Sequence, residues 1–401
     1  MCQLPNKVVS LLFKFVLLVG LVLNSLSWWL LSMPPFDDNN HRRRILPYYP
    51  HHHLAQIGNT SNANSRSSSA TKGQGIIPEW IHSYLQWHRH VRSMLNVSNY
   101  GDYKFLVSRC YYNDAQCGGL ADRLRALPFL VQVAAMSGRI LLIHWERPFD
   151  LSHFLQPATV DWRLPDFVPV PRHSFIFTRV NDVPYIKKSQ ETVVSIRFQA
   201  YKEAQKFFDR YKVKSQDANM TQVLSPLWES FFRPAPPVQL KINAFYRRYN
   251  ITISDYVAAH LRTKYVDDKT AQETKLLEIV RNALACTSNM EKFSDSTRIY
   301  VASDSREASH MAQQLAPHQV VVGDYSEHIQ AHLDRGVRFL ERPRTGIPHE
   351  HPIEAYYSTF VDLYLLMGAR CIAYDRGGFG RLAMLLSSNS RCSFDHHLRK
   401  C

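Results

Sequence analysis

The stretch Cys117-Gly118-Gly119-Leu120-Ala121-Asp122-Arg123-Leu124-Arg125 decides the fold, because it stands where a strand hands over to a helix. Before it, Tyr103 to Ser108 (YKFLVS) reads as a short buried strand. After it, Leu120, Leu124, Leu127, Leu130, Val131 and Ala134 recur at helical spacing until Gly138 offers a stop. Arg139 to His144 (RILLIH) then reads as the next strand. Two glycines at such a turn let backbone N–H groups approach an anion, and the helix N-terminus behind them adds about half a positive charge. Gly118, Gly119 and Arg123 are therefore candidates for a nucleotide-diphosphate site. A glycine turn chosen only for geometry is the alternative, since the full G-x-G-x-x-G fingerprint is absent.

Further along, Arg233-Pro234-Ala235-Pro236-Pro237 disfavours helix and central strand and reads as a linker. Beyond it the alternation resumes. Tyr256 to Leu261, Ile299 to Ala302, Gln319 to Val322 and Cys371 to Tyr374 read as strands. Gln272 to Cys286, Ser305 to Leu315, Ile353 to Met367 and Phe379 to Leu386 read as helices. Strands alternating with helices predict an α/β chain with parallel sheets covered on both faces, and two such units would form a cleft at the carboxyl ends of their strands. The boundaries that follow are an N-terminal unit at 76–240 and a C-terminal unit at 241–401.

Several polar residues fall at predicted strand ends. His260 and Arg262 close the first strand of the second unit; Arg262 offers a permanently charged fork to a diphosphate, with a structural salt bridge as the alternative. Asp267 and Asp268 follow and are candidates for the general base, or for a solvated turn. Asp304 closes the next strand, where it or Ser305 could instead cap the following helix. Asp362 lies among apolar residues of a helix, so it either faces the cleft or pairs with a neighbour. Tyr374-Asp375-Arg376-Gly377-Gly378-Phe379-Gly380 repeats the strand-glycine-helix design, which adds Arg376, Gly377 and Gly378 as phosphate candidates.

The rest of the chain sets the context. Hydrophobic residues at 45% supply substantial cores, and a net charge of +14 suits an anionic partner. No basic block interleaved with aromatics appears and no zinc-finger spacing, which argues against nucleic acid. After a short tail at 1–7, residues 8–31 are long and apolar enough for a single-pass membrane anchor, a cleaved signal peptide being the alternative. Residues 32–75, with His51, His52 and His53, read as a disordered stem. Sequons at Asn59, Asn96, Asn219 and Asn250, and six cysteines besides Cys2, suit a lumenal, oxidising compartment. Short loops suggest the pairs Cys110 with Cys117 and Cys392 with Cys401, or else buried free thiols. No C-x-x-C and no Asp-x-Asp occurs, so no metal site is expected.

CGGLADRLRALPFLVQVAAMSGRILLIHW, HLRTKYVDD, IYVASDS and FVDLYLLMGARCIAYDRGGFGRLA, in that order, resemble the motifs of the fucosyltransferase superfamily. That superfamily includes protein O-fucosyltransferases, core α1,6-fucosyltransferases and the rhizobial nodulation enzymes. The resemblance covers about residues 103 to 390. It implies a GT-B fold of two Rossmann-like domains, GDP-fucose as donor, a glycan or protein hydroxyl as acceptor, inversion without a required metal, and a Golgi or endoplasmic reticulum membrane. It also implies that Arg262 holds the β-phosphate, His260 and Asp362 approach guanine or ribose, Asp304 supports the nucleotide pocket, and Gly118 and Gly119 shape the pyrophosphate turn. Thr263 follows Arg262 where the core α1,6 type carries a second arginine.

Overall fold

The computed structural model describes residues 77–111, 117–169, 175–177, 183–198, 206, 208, 220–263, 272–323, 352–387 and 390–401, all within one compact unit. The tail at 1–7, the apolar segment 8–31 and the stem 32–75 lie outside them. Among the described residues no helix is long and apolar enough to cross a membrane.

The first sheet is built from β1 (Phe105–Cys110), β2 (Ile140–Trp145), β4 (Phe175–Phe177) and β5 (Val193–Phe198), in the order β2-β1-β5-β4 and parallel throughout. Helix α1 (Glu79–Met94) covers the edge strand β2, which would otherwise offer unpaired backbone groups to another chain. Its Tyr84 hydroxyl accepts from the Leu141 N–H at 3.0 Å and donates to the Arg139 carbonyl at 3.1 Å. His88 of the same helix holds the Leu141 carbonyl at 2.9 Å.

The single helix expected after Gly119 is two: α2 (Leu120–Leu124) and α3 (Leu127–Met136). Pro128 explains the break. It has no N–H to donate back into α2, and it is tolerated only in the first turn of a new helix, where it sits. The predicted proline linker is also structured. Short strands β3 (Leu155–Pro157) and β6 (Phe232–Pro234) pair antiparallel, and Pro236 and Pro237 open a helix at positions whose N–H groups would be orphaned anyway.

The second sheet uses β7 (Val257–Leu261), β8 (Ile299–Ser303), β9 (Val320–Val322), β10 (Ile372–Tyr374) and β11 (Phe394–Asp395), again parallel, in the order β11-β10-β7-β8-β9. Period-two alternation divides its side chains. Ala258, Tyr300, Ala302 and Ile372 join the large core, whereas Val257, Ala259, Leu261, Ile299 and Val301 join a separate one. The remaining helices, in chain order, are α4 (Val183–Lys188), α5 (Met220–Phe231), α6 (Pro236–Tyr249), α7 (Gln272–Ser288), α8 (Arg306–Leu315), α9 (Ile353–Met367) and α10 (Gly378–Leu386). The large core runs from Ile81 of α1 to Leu386 of α10 and so is shared by both sheets.

Cys110 pairs with Cys117 as expected, but Cys392 does not pair with Cys401. The partners are Cys371 with Cys392 and Cys286 with Cys401. Register supplies the reason. Ala373 pairs with Phe394 across the parallel strands β10 and β11, so stepping two residues back along each sets Cys371 opposite Cys392. The chain then runs on past β11 to α7, where Asn282 accepts from the Cys401 N–H at 2.9 Å beside Cys286.

Candidate functional site

Numbered along the chain, the strands of the second sheet lie in the order 3-2-1-4-5, read from β9 to β11. The order reverses between β7 and β10, and ligands of doubly wound sheets bind outside the carboxyl ends of the strands at such a point. The polar residues that follow β7, β8 and β10 meet there.

Asp304, just past β8, is buried and organises the end of β7. Its Oδ1 accepts from the Thr263 N–H at 2.8 Å and from Thr263 Oγ1 at 2.9 Å, and its Oδ2 lies 3.0 Å from Arg262 Nη1. Threonine at this position is thus a fixed partner of Asp304. Asp375, just past β10 and also buried, accepts from the Arg262 N–H at 3.1 Å and from the Arg376 N–H at 2.6 Å, which ties the two strand ends together. Asp375 is not among the sequence candidates; its signal is a carboxylate at a strand end, with one residue between it and the glycines. Ser305, not Asp304, caps α8, accepting from the Ala308 N–H at 3.2 Å.

Helix α10 starts beside Arg262. Gly377 precedes it at φ 96 and ψ −179, backbone open in practice to glycine alone, and no side chain caps the helix. His260, the fourth residue of β7, is fully buried with Phe379 at 5.4 Å between ring centroids. A Cβ added to Gly380 would stand 2.7 Å from His260 Nδ1, so the imidazole packs directly on the first turn of α10. Among the described residues neither ring nitrogen of His260 has a hydrogen-bond partner. Burial pushes this histidine down to about 3, against the opposing pull of Asp304, so it is neutral at pH 7. Arg376 is exposed, its Nε 2.6 Å from His397 Nε2.

The first glycine pair is arranged differently. Gly118 has φ 74, and the Gly119 N–H donates to Asp122 Oδ2 at 3.1 Å. A carboxylate of the chain's own therefore occupies the start of the five-residue α2. Arg123 is buried, with Nε donating to the Gly118 carbonyl at 2.9 Å, Nη1 donating to the Arg147 carbonyl at 2.6 Å, and its guanidinium 4.8 Å over Trp145. These bonds brace the glycine turn against the loop after β2. The two motifs nevertheless touch: a Cβ on Gly378 would stand 2.9 Å from Ala121 Cβ and 3.2 Å from Arg125 Nη2.

Of the sequence candidates, the structure brings together His260, Arg262, Asp304, Arg376, Gly377 and Gly378, with Gly118, Gly119 and Arg123 across the α2–α10 contact. Asp362 stands apart. It is fully buried in α9 and accepts from the Tyr300 hydroxyl at 2.6 Å, over the second residue of β8 and away from the carboxyl edge. Asp267 and Asp268 lie outside the described residues. Among the described residues no group of three or more His, Cys, Asp or Glu side chains could hold a metal ion.

The fold is that of a doubly wound α/β protein whose polar candidates gather at the switch point of the second sheet. No family model matches the chain, and no curated protein does. Among solved structures it is similar to the fucosyltransferase NodZ from Bradyrhizobium, at 17% identity and a TM-score of 0.44, over 71% of this chain and 93% of that one. NodZ α-1,6-fucosyltransferase co-crystallised with GDP gives 17% identity and a TM-score of 0.45 over the same shares of the two chains. A mutant of Arabidopsis thaliana FUT1 in complex with GDP gives 10% identity and a TM-score of 0.47, over 77% of this chain and 78% of that one.

Proposed function

We propose that this chain is a glycosyltransferase that moves fucose from GDP-fucose to a hydroxyl of a glycan or protein, with inversion and without a metal. One observation carries the reading: Arg262 and the uncapped N-terminus of α10 flank the reversal point of a 3-2-1-4-5 sheet. A nucleoside diphosphate placed there would meet a permanent cation and a row of backbone donors, the set that stabilises charge on a departing diphosphate. The buried, neutral His260 would offer a hydrogen bond to the nucleotide, not a charge. Asp304 has two effects: it fixes the Arg262 guanidinium and it offsets part of its charge, so recognition would rest on geometry as much as on net attraction. The motif order along residues 103 to 390 supports fucose over other nucleotide sugars. On this reading the second sheet binds the donor, the first faces the acceptor, and the body is lumenal behind a membrane anchor at 8–31.

Turnover of GDP-fucose by the purified chain with excess chelator, beside Arg262→Lys, tests it. Activity that survives the chelator and falls steeply in the variant is the expected result. GDP binding without turnover of any GDP-sugar across a broad acceptor panel would favour a non-catalytic nucleotide- or glycan-binding protein.

A further inference from the structure

The carboxyl edge of the first sheet carries a second polar cluster. Arg109 and His144 are register partners at the ends of β1 and β2, so both side chains lean to the same face. His144 Nε2 lies 3.9 Å from Glu146 Oε1, with the two side chains 27% and 40% exposed, within reach of a ligand. Tyr111 stands edge-on to the imidazole at 5.4 Å and 84°, and the Arg109 guanidinium lies 4.4 Å over the Tyr111 ring. Strand β2 is otherwise wholly buried, so His144 is the one position where this strand presents a polar side chain to the edge.

The cluster is held rigidly. The Glu146 N–H donates to the Cys110 carbonyl at 2.8 Å, and Cys110 is bonded to Cys117 at the start of the glycine turn. Arg123 of α2 donates to the Arg147 carbonyl one residue past Glu146, and α2 meets the first turn of α10 at Gly378. A continuous set of contacts thus joins the His144 loop to the helix that starts beside Arg262.

Resting on the transferase reading, we propose that His144 is the general base for the acceptor hydroxyl and Glu146 its positioning residue. In the step, the acceptor O–H gives its proton to an imidazole nitrogen of His144. The oxygen lone pair forms the new bond to the anomeric carbon. The bond from that carbon to the diphosphate oxygen breaks, and its electron pair leaves on GDP beside Arg262. Glu146 steadies the imidazolium so formed. Histidine is the commonest side chain in this role, and contacts of catalytic pairs are often long before substrate arrives. Among the described residues, the charged and titratable groups nearest the ring are Glu146 from its own loop and Arg109 and Tyr111 from the end of β1.

The test is kcat against pH for the purified chain with GDP-fucose, beside His144→Gln, Glu146→Gln, Asp267→Asn and Asp268→Asn, with calorimetric GDP affinity as the check on folding. His144→Gln is expected to lower kcat by about 10²- to 10⁴-fold, to remove the acid limb of the profile and to leave GDP affinity unchanged. Glu146→Gln gives a smaller loss in kcat with little change in KM. Wild-type kcat in His144→Gln, a larger loss in Glu146→Gln than in His144→Gln, or an acid limb abolished by Asp267→Asn or Asp268→Asn instead would overturn the assignment while the transferase reading stands. No turnover by the wild-type chain, despite GDP binding, would overturn both.

Discussion

The two strand-glycine-helix motifs look alike in sequence and differ in what stands at the third position of the helix. In the first, Asp122 at that position takes the Gly119 N–H for itself at 3.1 Å, and the helix ends after five residues. In the second, the third position is Gly380, the helix runs for nine residues without a side-chain cap, and the space left by the missing side chain is filled by His260. A glycine pair opens the backbone in both places. An anion arriving at the first motif meets a carboxylate, and at the second it meets orphaned donors beside Arg262. The first motif therefore braces its turn through Arg123, and the second leaves a helix N-terminus without a side-chain cap.

The largest expected effect is on the ion pair that shapes the second motif. Asp304→Ala leaves the Arg262 guanidinium, only 12% exposed, without its buried partner, and should cost about 3–5 kcal/mol in a denaturant titration and abolish GDP binding. Next come paired glycine substitutions that set the two motifs against each other. Gly380→Ala drives a Cβ to 2.7 Å from His260 Nδ1 and 2.8 Å from Tyr374 Cβ, a cost of about 1–3 kcal/mol with a matching loss of GDP affinity. Gly118→Ala, at φ 74 and with Asp122 Cβ 2.8 Å away, should destabilise by a similar ~1–3 kcal/mol and leave GDP affinity unchanged. Equal losses of affinity in both would mean that the two motifs bind the anion alike.

Asp122→Ala separates the two motifs further. Losing the cap should cost about 1 kcal/mol in thermal unfolding, and calorimetry should show GDP binding no weaker than wild type. The smallest effect near neutrality comes from His88 and His260, the buried histidines that burial pushes down. Burial holds His88 at about 4 and His260 at about 3, below the ordinary value of 6.5. The unfolded chain therefore binds these protons first, so stability is full above pH 6.5 and falls as pH drops from there toward 4. Tm measured between pH 7 and 4.5 should decline, and His88→Gln should flatten that decline.

Much of this arrangement was legible in the chain. Leu120 to Ala134 and Tyr256 to Leu261 show their helical and strand periods, and the polar residues His260, Arg262 and Asp304 sit where those strands end. What was not legible depends on partners distant in sequence. Whether Asp362 would face a cleft or pair with Tyr300, 62 residues away, is settled by packing that no local pattern encodes. Cys371 finds Cys392 through the register of an edge strand only two residues long, which carries almost no periodic signal. Arg233 to Pro237 read as a linker, whereas the pairing of β6 with β3 leaves Pro236 and Pro237 to open a helix.

Titration of GDP into wild type, Arg262→Lys and Asp122→Ala decides between the second motif with Arg262 and the first motif as the anion site. Lysine keeps a cation for Asp304, so folding should survive, with Tm close to wild type. Arg262→Lys should weaken GDP by about ten-fold or more, as the loss of a charge-assisted hydrogen bond implies, while Asp122→Ala should bind at least as tightly as wild type. Unchanged affinity in Arg262→Lys together with lost binding in Asp122→Ala would contradict this expectation and move the site to the first motif.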